Sequence, residues 1–554
     1  MKSVLRYLRW LYRHSKGVRA ALVLNLLLGT VNVALNLAFI FLCKRLVDIA
    51  TGLVPGDLAL TSCMAGGVLL LRLGVTAYNT WLETITNSKM NFLIRSRLYA
   101  EVIQARWAGR ERMHTGDMMN RLETDVTTVT GVICTELPQM VTTLIQLVSA
   151  VVFLALMDWR LTLLLVLLTP VFLLISKVFF RRMRQLTRRI RETESRVQSH
   201  IQESLRNRTL VKSLEQEPAM EDRLGDLQSL ELGQVQERTR FNILSRTLIS
   251  ASFSGGYIAA FLWGVYGISL GTSSFGMMTA FLQLVGQIQR PAVGLTRQIP
   301  ALIYATASID RLMELEDAPK EEQGEPLLLS NGPCGVRVEG VTFRYPDGKR
   351  DVLRGLSMDF KPGSRTAIVG ETGVGKSTLI RLMLSLLHPV SGRIVLYDAS
   401  QEEPASPRTR RNLVYVPQGN SLFSGTVREN LLMGDPAAGE EQMRKALETA
   451  VADFVYGLAD GLDTLCGEGG AGLSEGQAQR IAIARALLRP GSILLLDEFS
   501  SSLDPETEEK LLKNLTTSPA TQGKTMIFIT HREKIADYCD AVTRLDRPSS
   551  KELA

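Results

Sequence analysis

Apolar and polar positions divide the chain into two unlike halves. Up to about Thr306, runs of about twenty residues dominated by Leu, Val, Ala, Ile and Phe recur, the length that an α-helix needs to cross a bilayer. Six such runs are predicted as spans: Ala21 to Cys43, Leu58 to Trp81, Leu137 to Met157, Leu161 to Phe180, Ile249 to Leu270, and Phe275 to about Tyr304. The sixth carries Gln283, Gln287, Gln289, Arg290, Arg297 and Gln298, which lipid would not tolerate but a water-filled cavity would. Between spans two and three, and between four and five, long charged segments such as IRSRLYAEVIQARW and VQSHIQESLRNRTLVKSLEQE keep a helical apolar period. They predict helices that continue into the cytosol, with turns at His114–Asp117 and near Arg206–Asn207. An extension of about fifteen residues would place a helix end roughly 20 Å past the headgroups.

From Leu315 to Gly335 the chain is charged and rich in Pro and Gly, which reads as a linker. Beyond it, short apolar runs alternate with charged turns, the pattern of an α/β domain. The expected organisation is multidomain: an all-α six-helix transmembrane domain over 1–314, a linker over 315–335 and an α/β domain over 336–554.

The formal net charge of +7 would suit nucleic acid, but the basic residues cluster beside the apolar runs, as in MKSVLRYLRWLYRHSKGVR and RRMRQLTRRIRETESR. This is the positive-inside pattern, so both termini are expected to be cytoplasmic, with membrane lipid and no nucleic acid as partner. The first run exceeds a signal-peptide core, no small-residue cleavage site follows it closely, and an uncleaved first span is expected. Six widely spaced cysteines, without a CxxC pair, support neither a disulfide framework nor a zinc site.

Candidate chemistry lies in the second half. The strand-like TAIVG leads into Gly370-Glu371-Thr372-Gly373-Val374-Gly375-Lys376-Ser377-Thr378 and then an apolar helical pattern, the strand, loop and helix setting of a phosphate-binding P-loop. Its backbone N–H groups would wrap phosphates, Lys376 would answer their charge, and the Ser377 hydroxyl could bind Mg²⁺. A second apolar strand ends in Asp497-Glu498, at the edge where doubly wound sheets place ligands. Asp497 suits the metal, and Glu498 suits a general base for an attacking water. His531, after TMIFIT, ends a further strand, and Gln418, in YVPQGNSLF, follows an apolar strand and could touch both metal and water. Tyr345 could stack on an adenine or close a strand edge. Ser474-x-x-Gln477 has the form of a capping box opening an apolar helix, with Glu475 in its first turn.

In that order, Tyr345, GETGVGKST, Gln418, LSEGQ, LLLDE, SSLD and His531 resemble the nucleotide-binding domain of an ABC transporter with its α-helical signature subdomain. The six spans resemble an exporter-type half-transporter, and MHTGDMMNRLETDV and QESLRNRTLVKSLEQE resemble the intracellular loops that couple to the ATPase domains in that family. The resemblance implies ATP and Mg²⁺ as cofactors: Tyr345 on adenine, residues 370–378 on the phosphates, and Ser377, Gln418 and Asp497 at the metal. Glu498 would be the base, His531 and Gln418 would sense the γ-phosphate, and Ser474, Gly476 and Gln477 would meet ATP held by a second chain. A dimer is therefore implied, a homodimer favoured over a heterodimer because each catalytic element occurs once. The implied function is ATP-driven export of lipids, amphipathic compounds or peptides from a bacterial inner membrane; the alternative is an ATP-binding regulatory or gating half of a heterodimer. A soluble ATPase acting on nucleic acid is excluded by the spans.

The departure from the family pattern is Glu475, where Gly is common. A like-charge pair about 7 Å apart costs about 0.6 kcal/mol in water and about 2–3 kcal/mol at an effective dielectric near 20. Such a cost detunes a phosphate site and leaves it in place. In the spans, Asn25, Asn32 and Asn36 fall near one face, while Arg72, Arg290 and Arg297 suit either a substrate or pairing between helices. With no peptidase-like stretch before the spans, leader-peptide processing is not expected.

Overall fold

A computed structural model of the protein describes residues 2–107, 115–329, 332–346, 348, 350–467 and 472–546. The side chains of Arg290, Arg297 and residues 165–181 lie outside the described residues, as do His114 and Ala471. The chain forms two compact units, Met1–Tyr99 with Met119–Glu316, and Ala100–Met118 with Asp317–Ala554.

The helical half comprises α1 (Lys2–His14), α2 (Arg19–Ala50), α3 (Leu58–Gln104), α4 (Thr115–Asn120), α5 (Val126–Gly131), α6 (Leu137–Met157), α7 (Trp159–Arg206), α8 (Arg208–Ser213), α9 (Glu217–Ser269) and α10 (Phe275–Glu316). As the continued apolar period predicts, α3, α7 and α9 run to 47, 48 and 53 residues, well beyond a bilayer span. The turn expected at 206–207 is there: α7 ends at Arg206 and Asn207 caps it. Of the turn expected at 114–117, His114 lies outside the described residues, and Thr115, Gly116 and Asp117 form the first turn of α4 instead. Among the described residues, four helical stretches are long and apolar enough to cross a membrane: Arg19–Ala50, Leu58–Gln104, Gly116–Met157 and Glu217–Ser269. The apolar part of α7 carries side chains outside the described residues, and α10 is interrupted by polar residues and by Pro291 and Pro300.

The tight connection Asp158-Trp159-Arg160 has a local cause. The Asp158 carboxylate accepts the N–H groups of Arg160 and Leu161, capping α7, and also takes the Trp263 indole N–H at 2.8 Å. Ile40, Leu154, Leu161, Phe281 and Leu284 form the apolar core around these helices.

In the second unit, an antiparallel sheet orders β2 (Leu353–Phe360), β1 (Gly335–Phe343), β4 (Ser391–Tyr397) and β5 (Glu402–Pro404). A parallel sheet orders β11 (Ala541–Arg544), β3 (Arg365–Val369), β10 (Thr525–Ile529), β9 (Ile493–Asp497) and β6 (Leu413–Val416). Every residue of β9 and β10 is buried, which explains their unbroken apolar text: strands covered on both faces have no polar alternation to show. Helix α11 (Lys376–Met383) follows β3. A short pair, β7 (Gly425–Thr426) and β8 (Leu465–Cys466), joins α12 (Val427–Leu432), α13 (Glu440–Thr449) and α14 (Glu475–Leu488) in a helical subdomain, and α15 (Pro505–Thr517) follows β9. Leu431, Leu447, Ile483 and Leu511 pack its core against Phe499 and Phe528.

Candidate functional site: a phosphate-binding edge of the parallel sheet

Strands β3, β6, β9 and β10 run parallel, so the loops that leave their C-terminal ends meet along one edge. The 370–378 loop leaves β3, Gln418 follows β6, Asp497 ends β9 with Glu498 next to it, and His531 follows β10. Gly375 stands at φ 110° as the residue before α11, a conformation that side chains rarely adopt, and a Cβ there would also meet Leu353 and Val352.

Lys376 is 5% exposed, and its ammonium donates to the carbonyls of Gly370 at 2.7 Å and Glu371 at 3.0 Å. Burial pulls its pKa below the ordinary lysine value, against the opposing pull of Glu498 and Asp497. The His531 Nε2 lies 3.1 Å from the Lys376 ammonium and 2.9 Å from a Glu498 oxygen. One ring nitrogen cannot serve both partners at once: it accepts from the Lys376 ammonium when it carries no hydrogen and donates to the Glu498 carboxylate when it does. Glu498 also accepts the Gln418 amide N–H at 2.6 Å. These contacts join Lys376, His531, Glu498 and Gln418, four residues spread over 155 positions of sequence, into one polar chain.

Glu498 has φ 46°, the left-handed region, where a non-glycine residue carries backbone strain. Its N–H donates to the Ile529 carbonyl at 3.0 Å, and its own carbonyl accepts from the buried Gln479 amide at 3.4 Å. Asp497 is 3% exposed, one of its oxygens has no hydrogen-bond partner among the described residues, and burial raises its pKa while the Ser377 hydroxyl beside it lowers it and the Glu498 charge raises it further. An unpaired buried carboxylate oxygen next to a hydroxyl is a donor set that fits Mg²⁺, which takes one or two carboxylates and completes its octahedron with phosphate and water. Among the described residues no group of three or more His, Cys, Asp or Glu is placed to hold a metal ion.

Tyr345 packs edge-to-face on Phe343, with ring centroids 4.9 Å apart, and its hydroxyl lies 3.0 Å from that of Thr378, at the mouth of the loop. Ser474 caps α14: its hydroxyl accepts the Gln477 N–H at 3.2 Å, and the Gln477 side chain accepts the Ser474 N–H at 2.9 Å. The capping box is therefore complete, and Glu475 is exposed beside it. Gly476 has a reason of its own, because a Cβ there would stand 2.7 Å from the Ser502 carbonyl.

Three members of the neighbourhood escape sequence reading. Tyr415 lies 3.5 Å from Asp497 through its hydroxyl and is pushed up to about 12 by burial and by the Asp497 charge. Arg381 on α11 exerts its charge on both Tyr415 and Asp497, and it lies 5.1 Å from the Trp107 ring. Trp107 comes from the short segment after α3 that joins this unit through the Ala105–Lys320 bridge and the Arg106 N–H on the Pro319 carbonyl, 2.7 Å. Tyr415, Arg381 and Trp107 are ordinary residues until the fold brings them together, whereas a fourth neighbour, Gln479, shows in the sequence as a polar residue inside an apolar helical run.

A P-loop-type parallel sheet that follows a membrane-type helical half along the chain defines a class, and the comparisons agree with it. Residues 22–292 match the ABC transporter transmembrane region and residues 353–501 match the ABC transporter domain. The chain belongs to the ABC transporters, with both modules fused in one polypeptide. It is 36% identical over 295 residues to an uncharacterized ABC transporter ATP-binding protein, YfiB, of Bacillus subtilis, covering 52% of this chain and 50% of that one. It is 33% identical over 305 residues to the mitochondrial iron-sulfur clusters transporter ATM1 of Kluyveromyces lactis, covering 54% of this chain and 42% of that one. These matches span half or less of the curated relatives' length. The solved structure of a bacterial Atm1-family ABC exporter with ATP bound aligns with a TM-score of 0.78 at 25% identity, over 96% of this chain and 94% of that one. The helical half joined to an α/β nucleotide-binding half is thus an exporter fold.

Proposed function

We propose that the protein is one half of an ATP-driven exporter that hydrolyses Mg·ATP as a dimer, a homodimer favoured, with both termini on the cytoplasmic side of a bacterial inner membrane. The observation that carries this reading is the polar chain Lys376, His531, Glu498 and Gln418 beside the unpaired Asp497 oxygen. It supports binding of the ATP phosphates by residues 370–378, of Mg²⁺ by Ser377, Asp497 and Gln418, and water activation by Glu498. His531, between a cation and a carboxylate, is suited to report the γ-phosphate by exchanging one partner for the other. Tyr345 at the loop mouth is suited to the adenine. Bound Mg²⁺ supplies charge neutralisation of the phosphates; this chain's residues orient the water and hold the leaving charge.

The bonds of Ser474 are local to its own helix start, which supports a second chain's nucleotide as its partner. The decisive experiment is ATP hydrolysis and substrate-stimulated turnover by the purified chain in lipid, with the mass of the complex measured alongside. A monomer, or a dimer without Mg²⁺-dependent hydrolysis, overturns the proposal.

Two neighbouring substitutions should behave oppositely. Glu475→Gly removes the charge of an exposed side chain and should leave turnover equal or higher, by at most the few kcal/mol of the Coulomb estimate; a tenfold loss in ATPase assays would give the carboxylate a positive role. Gly476→Ala forces a Cβ against the Ser502 carbonyl, so α14 or the 501–504 turn must shift, and turnover should fall at least about tenfold.

A further inference from the structure

The first unit contains a cavity of about 930 Å³ that the nucleotide chemistry leaves unused. It lies among α2, α3, α6, α9 and α10, and its described lining holds seven carboxamide side chains and the guanidinium of Arg72, with no Asp or Glu. Arg72 Nε donates at 3.4 Å to the side-chain oxygen of Asn32, whose own amide donates to the Thr76 hydroxyl at 2.9 Å. Gln146 donates to Gln287 across the space, and the side-chain oxygen of Asn79 is buried without a hydrogen-bond partner among the described residues. Among the described residues, Arg72 therefore has a neutral carboxamide partner and no carboxylate.

The charge arithmetic is one-sided. A guanidinium is a fixed cation with no acceptor of its own, and a charge inside a membrane span calls for a counter-charge. Carboxamides offer both donors and acceptors but carry no net charge, so they leave the positive field of Arg72 uncancelled. An anion entering this space supplies the missing counter-charge and gains charge-assisted bonds from the amide N–H groups; a cation meets repulsion and no carboxylate. The volume is that of a site for a drug-sized ligand.

We propose that this cavity binds an organic anion whose carboxylate or phosphate meets Arg72 and whose amide or hydroxyl groups meet Asn32, Asn79 and Gln287. That the bound anion is the exported substrate rests on the exporter reading; the binding itself does not. The anion comes either from solution or from an anionic lipid headgroup, and the two arms of the test separate these sources.

The full-length protein in phosphatidylcholine nanodiscs is titrated with the acidic peptide N-acetyl-Glu-Ala-Gly, with its fully amidated uncharged form, and with tetraphenylphosphonium. A second set contains phosphatidylglycerol, and the lipid retained is counted by native mass spectrometry. The expected result is binding of the acidic peptide, or retention of phosphatidylglycerol, that exceeds the neutral and cationic probes. Arg72→Gln should weaken it about ten- to a hundredfold, the value of one charge-assisted contact. Arg72→Lys should recover most of the affinity, and Asn79→Ala should lose a few-fold. These two variants carry the test if Arg72→Gln does not fold. Cation binding as tight as anion binding, no anion binding in either arm, or affinities within twofold after Arg72→Gln would overturn the proposal. Anion binding without stimulated ATPase or vesicle transport would instead keep the site and sink the exporter reading.

Discussion

Glu498→Gln should cut Mg·ATP turnover by about 10²–10⁴-fold, the contribution of a positioned general base, while ATP binding persists. The amide keeps nearly the shape of the carboxylate and can still meet Gln418 and the His531 ring, so the strained turn at φ 46° loses little. What disappears is the acceptor for the water's proton. ATP-bound dimers should therefore accumulate, visible as nucleotide that copurifies and as a doubled mass in the presence of ATP. Undiminished hydrolysis in this variant would remove Glu498 from the role of base.

The second large effect is expected from Lys376→Ala. In the structure the ammonium holds the loop to itself through the Gly370 and Glu371 carbonyls and approaches His531. The same three donors are the charge that phosphate oxygens would take over. Losing them should raise the Kd for ATP by about 10- to 100-fold, the value of one charged hydrogen bond lost from a buried site. Turnover should fall further, because His531 loses the cation that competes with Glu498 for its Nε2. Titration with a fluorescent ATP analogue reads the first effect, and steady-state hydrolysis reads the second. ATP affinity within twofold of the unsubstituted protein would show that Lys376 does not face phosphate.

The limits of sequence reading are visible residue by residue. Span α6 ends where its apolar run does, at Met157, where Asp158 turns to an extended backbone, whereas its start at Leu137 is no helix end, because the helix continues back from there without a break to Gly116. The loop 370–378, the strand ends at Asp497 and Glu498, and the box at Ser474 and Gln477 were likewise legible, since each is a local backbone solution that dictates its residues. Over 115–117 the expected turn gave way to a helix starting at Thr115, and α11 stops at Met383 although the apolar pattern continues to Leu387. Helix ends depend on what packs against them, which short-range pattern does not record.

Sequence alone determined the local elements: a P-loop pattern, two carboxylates at a strand end, a capped helix and apolar spans follow from hydropathy period and from residues tied to one local geometry, and the resemblance to ABC transporters adds the signature role of that helix. Tertiary structure alone decided which side chains act together. That His531 stands between Lys376 and Glu498 and that, among the described residues, an Asp497 oxygen is left unpaired beside Tyr415 and Arg72 faces carboxamides without a carboxylate are outcomes of parallel strand order and helix packing. These partners lie tens to hundreds of residues apart, and the balance of burial and charge between them comes into being only when the fold removes water from around them.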